Sequence, residues 1–210
     1  AFNINMDEAL TSNLDDYKNF NSFFTRELKT GVRPIDLATD SIASPADGTI
    51  SQAGKIDKNK ILQAKGIDYN AERLLGNDED AKRYYEGNFA TIYLSPRDYH
   101  RVHIPLAGKL LRTRYIPGSL FSVNDMTAQA LPGLFSRNER LVCEFESDDA
   151  GTFAVIFVGA ILVAGSETVW GGFETPGPGA VRDTDFSAQS LSFMKGDEIG
   201  RFKFGSTGIQ

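Results

Sequence analysis

The stretch from Leu141 to Val163 constrains the fold of this chain more than any other segment. Leu141 to Glu146 belongs to a segment of alternating character, the period-two pattern of a β-strand. Ser147 to Gly151 reads Ser-Asp-Asp-Ala-Gly, which is the composition of a turn. Thr152 to Val163 is mostly apolar, as in buried strands. Together these features predict a strand, a turn, and then a buried strand or strand pair.

The chain is β-rich from Ser41 onward, whereas residues 7 to 29 favour helix. The predicted helix has one apolar face, with positions at i, i+3, i+4 and i+8: Phe20, Phe23, Phe24 and Leu28. This face packs either on the protein's own core or, as an interfacial helix, on lipid. We expect an α+β, β-rich fold with a barrel- or sandwich-like antiparallel sheet core. Residues 1–40 would form a short N-terminal helical segment, and residues 41–210 the β-rich domain.

Composition narrows the classes of partner. The 210 residues are 41% hydrophobic, as in ordinary globular proteins, and the net charge is -6. That charge argues against a nucleic-acid partner, because phosphate binding needs clustered Lys and Arg. Contact with an anionic membrane would need a local patch of the surface. Cys143 is the single cysteine, so we predict no disulfide framework and interpret Cys143 as a buried strand residue.

The only two histidines, His100 and His103, lie three residues apart. Ser95 followed by Pro96 has the form of a helix start, which would place both imidazoles on one side of a short helix. A metal site is disfavoured, because no second histidine pair and no nearby cysteine completes a ligand set. Two structural histidines are a further alternative. General acid/base chemistry is the interpretation that we favour.

Asp47 and the Gly205-Ser206 bond supply the other candidate groups. Asp47 lies in a Pro-Ala-Asp-Gly turn, where Asp is common for backbone reasons alone. It gains a chemical role if His103 needs an orienting carboxylate, with Ser206 as the third member of the set. Gly205 has no Cβ, so its carbonyl can be approached closely by a nucleophile such as the neighbouring serine.

Seven segments of the chain resemble the phosphatidylserine decarboxylase family, and they occur in the family's order. They are Phe23 to Leu28, Val32 to Ile35, Ser44 to Gly48, Tyr93 to Pro105, Tyr115 to Asn124, Phe135 to Arg140 and Phe204 to Thr207. The histidine-containing segment is highly specific, whereas the Asp-Gly turn and the Gly-Ser-Thr segment are specific only in combination.

The resemblance implies a proenzyme that cleaves itself between Gly205 and Ser206 and makes a covalent pyruvoyl cofactor from Ser206. Residues up to Gly205 would form a β chain of the catalytic domain, and the α chain would start at Ser206. By resemblance Asp47, His103 and Ser206 are the self-cleavage triad, in which Asp47 orients His103 and His103 takes the Ser206 proton. His100 and Tyr93 match positions near the substrate and are candidates for proton delivery.

The resemblance also implies the partners. The substrate would be phosphatidylserine in a membrane, converted to phosphatidylethanolamine and carbon dioxide. The protein would act peripherally on the cytoplasmic face of the cell membrane, as an α/β pair or a homodimer of such pairs, with no metal and no nucleic acid. Two alternatives stay open: a serine hydrolase that uses Asp47, His103 and Ser206 on an external ester, and a non-catalytic lipid-binding relative.

Overall fold

The computed structural model describes residues 4–163, 165–177 and 179–205. Its strands are β1 Thr49–Lys55, β2 Lys60–Ala64, β3 Ile67–Asn70, β4 Asn88–Tyr93, β5 Arg101–His103, β6 Gly108–Ile116, β7 Arg140–Ser147, β8 Gly151–Val158, β9 Gly165–Thr168, β10 Gly172–Thr175, β11 Arg182–Asp185, β12 Ser192–Phe193 and β13 Glu198–Lys203. The α-helices are α1 Phe20–Phe24, α2 Ala71–Leu75, α3 Asp78–Ala81, α4 Asp125–Ala130 and α5 Leu134–Arg137. Three 3₁₀ turns cover Met6–Glu8, Leu14–Asp16 and Lys82–Tyr84. The described chain is therefore β-rich, as predicted, and its helices are short.

The largest sheet is built around the predicted hairpin. β7 pairs antiparallel with β8 from Arg140↔Val158 to Ser147↔Gly151, and the sheet continues through β6 to β11, with β12 also on β6. Cys143 is buried in β7, as expected. The predicted buried run from Thr152 to Val163 contains one strand, β8, which ends at Val158, and Ile161 and Leu162 beyond it are exposed.

A four-stranded antiparallel sheet, in the order β10-β9-β13-β5, contributes to the same core. Val102 and Ile199 of this sheet belong to one buried apolar cluster with Leu110, Phe145 and Phe157 of the larger sheet. The antiparallel, β-rich prediction is confirmed. Among the described residues the strands do not close into a barrel.

The predicted helix over residues 7 to 29 is wrong. The segment forms two 3₁₀ turns and the five-residue helix α1, and each begins after an asparagine whose side chain accepts a backbone N–H: Asn5, Asn13 and Asn19. Side chains of this type compete with helical hydrogen bonding and favour helix starts over helix interiors. Phe24 is 3% exposed and packs in the interior, whereas Phe20 is 48% exposed. At Phe24 the apolar face therefore belongs to the protein core.

The predicted helix start at Ser95 is also wrong. The Asp98 carboxylate accepts hydrogen bonds from the Ser95 backbone N–H at 2.7 Å and from its hydroxyl at 2.8 Å, which closes a turn. The chain then enters β5, which pairs with the distant strand β13. Because residues three apart in an extended chain point to opposite sides, His100 and His103 lie in different surroundings. No helix within the described ranges is long and apolar enough to cross a membrane.

Candidate active site

The four-stranded sheet places the histidine segment beside the strand that leads to Gly205. β13 pairs with β5 through Glu198↔His103 and Arg201↔Arg101, and the Phe202 N–H donates to the His100 carbonyl at 2.9 Å. His100 therefore lies next to the end of β13 that runs toward Gly205. His103 lies beside its beginning, about 10 Å away along an extended chain. Ser206 lies outside the described residues.

His100 is a buried, neutral imidazole. It is 2% exposed, and its ring centroid lies 3.8 Å from that of Phe24. Its Nδ1–H donates to the carbonyl oxygen of Asp98 at 2.8 Å, which leaves Nε2 as the basic nitrogen. Burial lowers the pKa of His100 to about 4, and the nearby Arg26 acts in the same direction. At neutral pH the ring is therefore uncharged, with an unprotonated Nε2.

His103 has a defined tautomer. Its Nδ1–H donates to the carbonyl oxygen of Gly196 at 2.7 Å, and its Nε2 lies 3.0 Å from the Tyr99 hydroxyl, which donates to it. Burial raises the pKa of Tyr99 to about 12, so this hydroxyl keeps its proton. The backbone N–H of His103 donates to the Pro45 carbonyl at 2.8 Å, which places the Asp47 turn beside the His103 backbone.

Asp47 is bound to Arg33 instead of His103. The Arg33 Nε lies 3.0 and 2.9 Å from the two carboxylate oxygens of Asp47, and Nη2 lies 2.7 Å from one of them. The same Nη2 lies 2.8 Å from Glu8, whose pKa it lowers by hydrogen bonding. The orienting contact to Nδ1 of His103, which was expected from Asp47, comes here from the Gly196 carbonyl.

Tyr93 and Asp47 share a broad cleft. Tyr93 ends β4 opposite Thr49, and a Cβ on Gly48 would lie 2.4 Å from the Tyr93 carbonyl oxygen. Only glycine allows this close approach, which accounts for the Asp-Gly pair. The cleft has a volume of about 1330 Å³, and its charged wall residues are Asp47, Lys65, Arg97, Asp98 and Asp125. It could hold a polar, charged group of substantial size.

The segment before Gly205 is held from both sides. The Asn21 side chain accepts from the Phe204 N–H at 2.8 Å and donates to the Phe204 carbonyl at 3.0 Å. The Gly205 N–H donates to the Leu162 carbonyl at 3.2 Å. No role was predicted for Asn21, Arg33, Tyr99 or Gly196. Arg33 and Tyr99 lie in segments that resemble the family, whereas Asn21 and Gly196 lie outside those segments.

Comparison with known proteins identifies the group to which this sequence belongs. A family model described as phosphatidylserine decarboxylase matches residues 20–209. A phosphatidylserine decarboxylase proenzyme of Shewanella amazonensis is 54% identical over 98% of this chain and 73% of the relative. Proenzymes of the same name from Ectopseudomonas mendocina and Alcanivorax borkumensis are 50% and 52% identical, over 99% and 98% of this chain and 74% and 72% of the relatives. The chain belongs to the phosphatidylserine decarboxylase family.

Proposed function

We propose that this chain is a phosphatidylserine decarboxylase proenzyme, which releases carbon dioxide from phosphatidylserine and yields phosphatidylethanolamine. Family membership gives the reaction class. The structural observation that supports it most is the pairing of β13, which leads to Gly205, with β5, which contains His103 and follows directly after His100. The comparisons do not favour the serine hydrolase or the non-catalytic alternative.

Self-cleavage would start with attack of the Ser206 hydroxyl on the Gly205 carbonyl. The peptide bond becomes an ester, elimination releases the β chain with a carboxylate on Gly205, and water then displaces ammonia to leave a pyruvoyl group on the α chain. The structure around Gly205 fits this cleavage, because Gly205 has no Cβ and hydrogen bonds to Asn21 and Leu162 fix the chain at Phe204 and Gly205. A pyruvoyl group supplies an electrophilic carbonyl that condenses with an amine and accepts the electrons released with carbon dioxide.

His103 is proposed as the general base for cleavage. The hydrogen bond from Nδ1 to Gly196 leaves Nε2 as the proton acceptor, which is the tautomer that a base requires. Asp47 would stabilise the positive charge that His103 gains. Since Asp47 is paired with Arg33 in this structure, that role requires Asp47 to exchange one cationic partner for another.

His100 and Tyr93 are proposed to act in decarboxylation. A proton gained by His100 is readily released again, because its buried site disfavours the charged ring. Such a group suits proton delivery to the carbon that loses its carboxylate. Tyr93 lines the cleft next to Asp47 and would contact the substrate headgroup.

The partners follow from the same proposal. Phosphatidylserine would be met at a membrane surface, with the protein bound peripherally on the cytoplasmic face of the cell membrane. Exposed apolar side chains near the Gly205 end support this, since Phe20 packs on Phe204 and Leu162 is the residue that binds Gly205. The active unit would be the β chain with its α chain, assembled as a homodimer of such pairs.

Intact mass spectrometry under denaturing conditions tests this function. The proenzyme should yield a β chain ending at Gly205 and an α chain that begins with a pyruvoyl group in place of Ser206, without added protease. The cleaved protein should release labelled carbon dioxide from carboxyl-labelled phosphatidylserine in vesicles. Protein that stays uncut after prolonged incubation, or cleaves without releasing carbon dioxide, contradicts the proposal.

A further inference from the structure

Asn21 makes a two-point contact with the residue that precedes the proposed cleavage site. Its Oδ1 accepts the Phe204 N–H at 2.8 Å and its Nδ2 donates to the Phe204 carbonyl at 3.0 Å. The two residues are 183 positions apart in sequence. In a β-sheet, a neighbouring strand offers one acceptor and one donor to the backbone N–H and C=O of a residue. The Asn21 carboxamide offers the same pair to Phe204 and so takes the place of a strand partner.

This contact lies just beyond the last backbone pairing of β13 with its two neighbouring strands. On one side of β13 the last hydrogen bond runs from the Phe202 N–H to the His100 carbonyl. On the other side the last strand pair is Lys203 with Gly165. Beyond them, the described residues fix the chain through Asn21 at Phe204 and the Leu162 carbonyl at Gly205. The Gly205 carbonyl carbon follows directly after these contacts.

Helix α1 holds Asn21 in place for this contact. Asn19 and Ser22 form a reciprocal capping box at its start. The Phe20 ring lies 4.8 Å and the Phe24 ring 5.7 Å from the Phe204 ring, both edge to face. Since the aromatic packing and the carboxamide act on the same residue, the position of Phe204 is set by side chain and backbone together.

We propose that Asn21 is a positioning residue for self-cleavage, which holds the Phe204 peptide groups so that the Gly205 carbonyl faces the attacking Ser206 hydroxyl. The inference rests on the proposed function and adds a residue that acts through the backbone. A misplacement of about 1 Å can cost about 10²-fold in rate when reacting groups must be aligned. Loss of the contact should therefore slow cleavage strongly, although all the groups that react are still present.

The first experiment compares cleavage rates of the proenzyme by intact mass spectrometry. Asn21→Leu keeps the size of the side chain and removes both hydrogen bonds, so we expect cleavage to slow by about 10- to 10²-fold. Asn13→Ala is the matched control, because it removes a side-chain cap from the preceding 3₁₀ turn and leaves both α1 and the Phe204 contact intact. We expect the control to cleave within about twofold of the parent rate. Equal slowing in both variants overturns the proposal, because a general loss of stability in the N-terminal segment would then explain the effect.

The second experiment uses Asn21→Asp, which separates the hydrogen bonds from helix stability. A protonated carboxyl group has one donor and one acceptor, like the carboxamide, whereas the ionised group lacks the donor and repels the Phe204 carbonyl. The ratio of variant to parent cleavage rate should rise as the pH falls from about 8 to about 5. Dividing by the parent rate removes the pH dependence that the variant and the parent share. A ratio that does not change with pH overturns the proposal. This test can be made even if the Asn21→Leu variant fails to fold.

The outcomes distinguish failure of the positioning role of Asn21 from failure of the proposed function. A parent proenzyme that never cleaves removes the proposed function. A parent that cleaves, with a folded Asn21→Leu variant that cleaves at the same rate, removes only the positioning role. Folding of each variant is checked by thermal unfolding before the rates are compared.

Discussion

The Nδ1–H of His103 donates to the carbonyl oxygen of Gly196 at 2.7 Å, so a backbone carbonyl from the turn before β13 sets the tautomer of the proposed base. Gly196 has a φ of +90°, and a Cβ at this position would lie 2.9 Å from the Ile35 side chain. The orientation of His103 therefore depends on a glycine that is 93 positions away in sequence.

Gly196→Ala should lower both stability and the rate of self-cleavage. A side chain is strained at this φ and also meets Ile35, so we expect a loss of about 1 to 3 kcal/mol in the free energy of unfolding. Urea denaturation and a cleavage time course measure the two effects. Gly151→Ala is the matched control, because Gly151 has a φ of +71° and an added Cβ would meet no atom within 4 Å. The control should lose stability and keep the cleavage rate; slowing in both variants would contradict the link to His103.

Replacement of the two histidines should separate cleavage from turnover. His103→Ala should accumulate uncut proenzyme, since it removes the proposed base. His100→Ala should cleave, give a pyruvoyl group that is trapped by reductive amination, and lose most turnover. Loss of a general base typically costs about 10²- to 10⁴-fold in rate, so either defect is measurable by mass spectrometry and carbon dioxide release. Cleavage that is blocked in His100→Ala and normal in His103→Ala would reverse the two assignments.

Arg33 and Asp47 should have different effects on cleavage. Asp47→Asn removes the charge that is proposed to stabilise protonated His103, so the cleavage rate should fall. Arg33→Gln frees Asp47 from its ion pair, and we expect cleavage at least as fast as in the parent. Glu8→Gln is the control, because it breaks the other ion pair of Arg33 and leaves Asp47 bound. A decrease with Arg33→Gln as large as that with Asp47→Asn would show that the ion pair itself is needed.

The buried His100 should make the protein less stable in mild acid. Its pKa is about 4 in the folded chain against an ordinary value of 6.5, so the unfolded chain binds more protons between these values. The stability contributed by the neutral ring is therefore complete above about pH 6.5 and is lost as the pH falls toward 4. At about pH 5 we expect a loss of roughly 1 to 2 kcal/mol from this group. Urea denaturation of the parent and of His100→Asn at pH 7 and pH 5 should show a smaller pH effect in the variant, and an equal effect would assign the acid sensitivity to other groups.

Two phenylalanines of α1 should respond differently to the same change. Phe24→Asp places a carboxylate in the interior beside His100 and Phe204, and we expect it to unfold the protein or cost more than about 3 kcal/mol. Phe20 is half-exposed, so Phe20→Asp should fold and bind anionic vesicles more weakly in a sedimentation assay. Unchanged vesicle binding by folded Phe20→Asp would remove this residue from the membrane contact.

Local patterns in the sequence were sufficient where neighbours in sequence are also neighbours in space. The strand–turn–strand pattern between Leu141 and Val158 is such a case, because a hairpin pairs residues on either side of one turn. The buried position of Cys143 follows from the same alternation. Helix prediction failed at residues 7 to 29, where asparagine caps bind backbone N–H groups that a longer helix would use. It failed at Ser95 because the chain enters β5, which pairs with the distant strand β13.

The family, the Gly205-Ser206 bond and the candidate chemical groups can all be read from the amino-acid sequence, because they depend only on which residues are present and in what order. The contacts that those groups make depend on the folded chain. Arg33 binds Asp47, Gly196 orients His103, and Asn21 holds Phe204. Each contact joins separate elements that the sheet and α1 bring together, so neither spacing nor periodicity along the chain carries a signal for it.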